Sequence, residues 1–529
     1  MTQKSATLDD KYDLTKDRVF ISGPQVMVRA TLAQKALDRE AGLNTAGYIT
    51  GYRGSPVGGV DQAFQRAQGK LEPENIKFHP GLNEDLAATA VWGSQQAEMW
   101  GEGAYDGVFS IWYGKGPGVD RSGDVLRHAN AAGTSKHGGV LVMAGDDHGA
   151  ESSTVPHQSE IALLDAMIPI LNPAGLQELY DYSIYGWALS RFAGTWVGVK
   201  CLHDTVESTA VIEAGLHRIR PKTPKDFKMP PGGLNIRPND DRHDQERRLH
   251  NFKRQAAVAF ARANGLNEII FRGGPKPKIG IASVGKSYLD TRQALEELGI
   301  DEAMAAKIGL RLLKIGLIWP LDSAIMHEFA DGLELIICVE EKRDLLETHV
   351  RELLFNDRKH AVIVGKKDEQ GENLFPVYGT LEPNQIAIAI AERILAHKQW
   401  PEIAENLDVI KGVQSRLSNA PDLLSRTPYF CAGCPHNSST VLPEGARGYA
   451  GIGCHWMVQS MPARNTHGST QMAAKAPTGS AKRPSRSATI FSRIWAMAPT
   501  ITQACSPSAQ RSGPMRTSPT RSSITTRSQ

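Results

Sequence analysis

Cys431 and Cys434 stand in the run Phe430-Cys431-Ala432-Gly433-Cys434-Pro435, and Cys454 follows on a second glycine-rich turn, Gly451-Ile452-Gly453-Cys454. A Cys-x-x-Cys turn can present two thiolates to one metal face, with the third closing from another segment. Soft sulfur donors at this spacing suit an iron–sulfur cluster or zinc better than a disulfide. A cluster needs a fourth ligand, and the remaining later cysteine, Cys505, lies in a tail of different composition. The structural alternative is three inert thiols buried as small apolar groups.

A second set of residues lies in four polar, glycine-punctuated loops of the first half. Gly51-Tyr52-Arg53-Gly54-Ser55-Pro56 offers backbone N–H groups and a hydroxyl to a carboxylate or carbonyl. In His79-Pro80-Gly81-Leu82-Asn83-Glu84 the acid falls at the first turn of an Ala-rich helix, where the dipole stabilises a carboxylate. Tyr113-Gly114-Lys115-Gly116-Pro117-Gly118 and Gly145-Asp146-Asp147-His148-Gly149 complete the set. Each has a plain reading as a tight turn or capped helix, but together they look like a ligand cleft. A metal at Asp146, Asp147 and His148 is the weaker reading, because successive side chains leave the backbone on different sides. Gly280-Ile281-Ala282-Ser283-Val284-Gly285-Lys286-Ser287 matches the P-loop pattern by letter. Its first glycine is expected inside a strand, where it cannot open a phosphate nest.

The elements that must carry these loops alternate between short apolar strands and helical stretches. Strands are predicted at 46–49, 107–112, 139–144 and 195–199, and again at 278–283, 311–316 and 335–341. Strands followed by glycine turns and amphipathic runs give parallel sheets flanked by helices, a multidomain α/β protein. Ligands of such sheets sit at the carboxyl ends of the strands. A Pro-, Asn- and charge-rich stretch near 221–263 reads as a linker ending in a charged helix.

At 529 residues the chain has length for several cores, and 41% apolar with 22% charged residues is ordinary globular composition. The longest apolar runs, such as Ile386 to Ala391, are far short of a membrane span. A polar Met1–Asp17 without an apolar stretch predicts no signal peptide, and with six cysteines it fits a reducing, cytoplasmic home. From Ala473 to Gln529 there are nine Lys or Arg and no Asp or Glu, so +3 overall leaves −6 on the preceding body. The basic balance belongs to the tail and argues neither for nucleic-acid nor for membrane binding by the body.

Taken in order, these segments resemble the indolepyruvate:ferredoxin oxidoreductase family of thiamine diphosphate-dependent 2-oxoacid oxidoreductases, over about Arg18 to Met472. Gly51 to Pro56 is similar to its substrate-side loop, Asn83-Glu84 to its pyrimidine-facing acid, and Val339-Glu340-Glu341-Lys342 to part of its transketolase-C-like domain. Phe430 to Asn437 with Gly451 to His455 is similar to the cysteine-bearing start of its diphosphate-binding domain. The resemblance implies thiamine diphosphate-binding-type parallel sheets with flanking helices, a transketolase-C-like α/β domain and a disordered basic tail. It divides the chain into an extension (1–17), a pyrimidine-binding-type domain (18–215), a linker and charged helix (216–265), a transketolase-C-like domain (266–400), the start of a diphosphate-binding domain (401–472) and the tail (473–529).

The resemblance further implies that Glu84 is the catalytic acid facing the thiamine pyrimidine, with Gly54 and Asn83 beside the cofactor. Ser55, Arg53 and Lys115 would bind the substrate, and Cys431, Cys434 and Cys454 would ligate a 4Fe-4S cluster. An aryl pyruvate would be decarboxylated, coenzyme A would take the acyl group, and electrons would pass to ferredoxin, in a homodimer or beside an intact paralogue. Where the family has a Gly-Asp-Gly motif for Mg2+ and diphosphate, this chain has Ala473 to Gln529. Codons for Gly-Asp-Gly-Thr read one base later give Ala-Met-Ala-Pro, the residues at Ala496 to Pro499. The reading is a frameshift near Met472 that leaves a truncated, inactive form. The alternatives are a non-catalytic assembly partner, or a zinc-stabilised binding protein using the three cysteines with His436 or His455.

Overall fold

A computed structural model of the protein describes residues 7–151, 153–357, 361–419 and 428–469. It falls into two compact units, Met1–Leu423 and Leu424–Gln529. The aberrant tail expected at 473–529 lies outside the described residues.

The first unit carries strands β1 (Arg18–Ser22), β2 (Thr45–Gly51), β3 (Ile76–Phe78), β4 (Gly107–Lys115), β5 (Val140–Asp146), β6 (Ile170–Leu171) and β7 (Trp196–Leu202). They are followed by β8 (Thr209–Glu213), β9 (Asn267–Phe271), β10 (Ile279–Val284), β11 (Leu310–Ile315), β12 (Leu317–Trp319), β13 (Leu335–Val339) and β14 (Val362–Val364). The larger sheet has the order β12-β6-β7-β5-β4-β2-β3, parallel except for β12 at its edge. A second sheet, β14-β13-β10-β11-β9, is parallel except for its edge strand β9. β1 and β8 form a separate antiparallel ribbon. Every residue of β5 and β7 is buried, the condition under which parallel strands read as continuous apolar runs.

The two sheets are sewn together within this unit. The chain leaves β11, turns at Gly316, and enters β12 in the other sheet. Asn267 holds the crossing: its side-chain oxygen accepts from Gly316 N and Leu317 N, both at 2.9 Å. A Cβ on Gly316 would collide with Leu266 O and the Tyr182 hydroxyl. One apolar core runs across both sheets, joining Trp112, Val142 and Trp196 to Leu313, Phe329 and Ile336. The stretch after β8 holds helices Arg242–Arg248 and Arg254–Asn264 with a π turn between them. Ala256, Ala257 and Phe260 pack into the core on the other face of the large sheet, and the fully buried Lys253 donates to Asn130 O and Ala131 O at 3.1 Å.

Gly280 lies inside β10, paired with Arg311 and Ile336, and a Cβ there would strike Phe329 and Leu333. Lys286 turns to Asp290 at 2.7 Å. The P-loop letters therefore spell a core strand and a helix start. No helix among the described residues is long and apolar enough to cross a membrane.

The second unit has a parallel pair, β15 (Gly448–Ala450) and β16 (Thr466–Ser469), over a small core of Phe430, Ala450 and Val458. Cys431 O accepts from Cys434 N at 3.0 Å and from Asn437 Nδ2 at 2.9 Å, closing the Cys-x-x-Cys turn. Gly433 and Gly453 occupy the left-handed region at φ 75° and 86°, the conformations for which glycine is favoured.

Candidate active site

The carboxyl ends of β2, β3, β4 and β5 converge. Gly81 N donates to Gly51 O at 2.9 Å and Tyr52 N to Tyr113 O at 3.0 Å, so the first three loops are tied through their backbones. Gly51 and Gly81 must be small here, since a Cβ on Gly81 would lie 2.7 Å from Gly51 O.

Glu84 opens the helix Glu84–Ser94, with Asn83 as N-cap. The Asn83 side-chain oxygen accepts from Leu86 N at 2.8 Å, so its built role is a cap. Glu84 is 1% exposed, and among the described residues neither carboxylate oxygen has a hydrogen-bond partner. Arg121 Nη1 stands off at 3.8 Å, and the Trp112 indole donates to Glu84 O at 2.9 Å. A buried polar group without a partner costs about 1–3 kcal/mol, and more when charged, so this acceptor pair would gain from a donor placed against it. Burial pushes the Glu84 carboxyl above its ordinary range, only partly opposed by Arg121. Tyr52 faces the same carboxylate: its phenol is pushed up by burial and by the Glu84 charge.

The wall over Glu84 is the short helix Gly116–Arg121. A Cβ on Gly118 would come within 3.0 Å of Glu84 Oε1 and nearer still to its Cγ. Gly118→Ala is expected to destabilise by about 1–3 kcal/mol through overpacking, read as a lowered urea midpoint. Gly58→Ala, where a Cβ would meet nothing within 4 Å, is the neutral control.

Of the expected substrate ligands, Arg53 is exposed, and Ser55 donates to Glu207 Oε1 at 3.0 Å. Gly54 lies against the Lys115 stem, where a Cβ would stand 3.1 Å from Lys115 Cβ. The Lys115 ammonium is pulled down by burial, with Asp147 opposing. Asp146, Asp147 and His148 go to separate partners: Ser159 with His157, Glu151 N, and Glu341. Cys431, Cys434 and Cys454 belong to the second unit. Two are exposed and Cys434 is half-buried. Among the described residues no group of three His, Cys, Asp or Glu side chains is gathered so as to hold a metal ion.

The site contains groups that sequence reasoning missed. Tyr52 and Gly118 are within the polar loops and Arg121 follows three residues after Gly118, but nothing in their spacing signals that they face Glu84. Lys200 lies in β7 among apolar residues and bonds Glu160 at 2.5 Å, both nearly fully buried.

Residues 269–417 match the family model of the indolepyruvate oxidoreductase domain. The chain is similar to indolepyruvate oxidoreductase subunit IorA of Methanothermobacter marburgensis, 25% identical over 439 residues, which cover 82% of this chain and 61% of that protein. The similarity to indolepyruvate oxidoreductase subunits thus extends well beyond the matched domain. IorA of Pyrococcus horikoshii is 23% identical over 433 residues, 81% of this chain and 59% of that one. The chain thus spans about three fifths of the length of these members of the family. A solved 2-oxoglutarate:ferredoxin oxidoreductase from Magnetococcus marinus shares the fold, with TM-score 0.52 and 16% identity over 72% of this chain and 66% of that one.

Proposed function

We propose that the pocket around Glu84 is the pyrimidine-recognising site of a thiamine diphosphate-dependent oxidoreductase acting on aryl pyruvates. The observation that carries this reading is the fully buried carboxylate of Glu84 at a helix N-terminus, its oxygens without a hydrogen-bond partner among the described residues and Gly118 packed directly against its side chain. Bound thiamine diphosphate supplies the carbon nucleophile that decarboxylation of a 2-oxoacid requires. Glu84 would hold a ring nitrogen and its proton in a pocket from which water is excluded, the condition under which a carboxyl with a raised pKa serves as acid and base. Lys115 and Ser55 would orient the substrate carboxylate and carbonyl, with Arg53 at the mouth. Coenzyme A and ferredoxin are the acyl and electron acceptors that accord with the family, in a homodimer or beside an intact paralogue.

Titration of the full chain with thiamine diphosphate and Mg2+ tests this, followed by fluorescence of Trp112, whose indole bonds to Glu84 O. Saturable quenching is expected in the wild type, weakened at least tenfold in Glu84→Gln. Because the diphosphate end lacks its family anchor the binding is expected to be weak, and equal quenching of wild type and Glu84→Gln would sink the reading.

We also propose that the reading frame shifts near Met472, on the codon relation at Ala496 to Pro499. Losing the Mg2+ and diphosphate motif removes an octahedral anchor, so this chain is expected to show no 2-oxoacid-dependent reduction of an acceptor. One DNA read across the junction should find the family motif one base away; unrelated sequence there, or turnover by the purified chain, would remove the proposal.

A further inference from the structure

His157 sits in the loop after β5 and touches two carboxylates at once. Its Nδ1 is 3.2 Å from Asp146 Oδ1 and its Nε2 is 2.9 Å from Asp120 Oδ2. Asp146 is fully buried at the end of β5 and also accepts from Ser159 N at 2.8 Å and Ser159 Oγ at 2.7 Å, so it is a fixed post. Asp120 is exposed on the short helix Gly116–Arg121. The His157 ring also packs on the first residue of that helix, for a Cβ on Gly116 would overlap the imidazole. The other face of the same helix presents Gly118 and Arg121 to Glu84.

A helix of six residues cannot hold its own place by its backbone bonds. Something must fix it, and a ring gripping both its first residue and Asp120 does so from the side opposite Glu84. We infer that His157 is a positioning residue: by bridging Asp146 to Asp120 it clamps the helix Gly116–Arg121 against Glu84 and so keeps that carboxylate dry and at a set distance from Arg121. The inference rests on the Glu84 reading for its catalytic meaning, but the clamp itself is a property of the chain.

Burial pulls the imidazole down, but Asp120 and Asp146 more than reverse this and hold it at about 9, so at neutral pH it is a cation between two anions. Burial pushes the Asp146 carboxyl up, but the bond to His157 and the charges of Lys200 and His148 more than reverse this. The ionisable groups facing Glu84 are Arg121, Asp85 and Tyr52. None of these is His157, so an effect of His157 on Glu84 must travel through the helix.

The test uses the full chain, with His157→Ala, Asp120→Asn and the double variant. Asp120 is exposed, so its variant keeps the test alive should His157→Ala fail to fold. Two signals are read: amide hydrogen exchange in 116–121, and titration of the Glu84 carboxyl infrared band, identified by its loss in Glu84→Gln. Both single variants are expected to exchange at least tenfold faster in that helix and to move the Glu84 midpoint down toward ordinary carboxylates, with the double no worse than either. Unchanged exchange with an unmoved Glu84 band in Asp120→Asn, or additive effects in the double, would overturn the clamp. Thiamine diphosphate quenching that is the same in wild type and Glu84→Gln would instead remove the reading of the Glu84 site and leave these signals as they are.

Discussion

The Glu84→Gln protein is expected to melt higher than the wild type while losing at least tenfold in thiamine affinity. The two effects have one cause. In the free protein the carboxylate is buried, unpartnered and only loosely faced by Arg121, so an amide of the same shape removes a charge that the fold pays to keep. The gain is on the order of 1–3 kcal/mol, which at roughly 1 °C per kcal/mol for a unit of this size is measurable. The sign with pH follows from the raised carboxyl. Stability from the proton held by folded Glu84 is fully present below its unfolded value and lost as pH rises through its folded one. The Tm gap between variant and wild type is therefore smallest in acid and opens as pH climbs past that folded midpoint. Binding runs the other way, because hydrogen bonds to a charged group are worth about 1.5–3 kcal/mol, tenfold or more in Kd. A variant that neither gains in Tm nor loses affinity would show that Glu84 is an ordinary helix-start acid.

Lys200→Met is expected to cost more stability than any other single change considered. Lys200 and Glu160 are within 5% of full burial and 2.5 Å apart, and the second Glu160 oxygen has no partner. Burial pulls the Lys200 ammonium down, and the charges of Glu160 and Asp146 more than reverse it. Removing the cation strands the buried Glu160 carboxylate on the helix Ser159–Asp165, with the Asp146 charge nearby. Breaking such a pair costs about 3–5 kcal/mol, whereas replacing both partners by apolar groups is often neutral. Lys200→Met should therefore lower Tm by roughly 3–5 °C in a unit of this size, and Lys200→Met with Glu160→Leu should recover most of it. A double variant as unstable as the single one would mean that the pair is held by more than its own charges.

The strands were legible because burial on both faces of a parallel sheet writes itself as an unbroken apolar run. That holds for β4, β5, β10 and β13, and the placing of Glu84 at a helix start followed from Asn83 and the alanines after it. The wall over Glu84 was not legible. Gly118 reads as one more turn glycine until the structure sets it on a carboxylate from 34 residues earlier. His157 stands in a polar run, Ser153-Thr154-Val155-Pro156-His157, with no period, and its partners come from two other segments. Lys200 breaks the pattern of β7, but an ammonium in an apolar strand says only that an anion exists somewhere. For the cysteines, spacing announced a ligand set and chain order could not say whether three thiols converge.

The hand-over at Gly316 constrains how this protein can be taken apart. Because β12 completes a sheet begun more than a hundred residues earlier and β11 belongs to the next one, a graft that exchanges one half for that of a relative must carry the matching β6 edge and the Asn267 staple along with it. Chimeras joined in the loops on either side of Leu310–Trp319 would expose an unpaired edge on one parent and a bare apolar face on the other, so viable crossovers lie elsewhere.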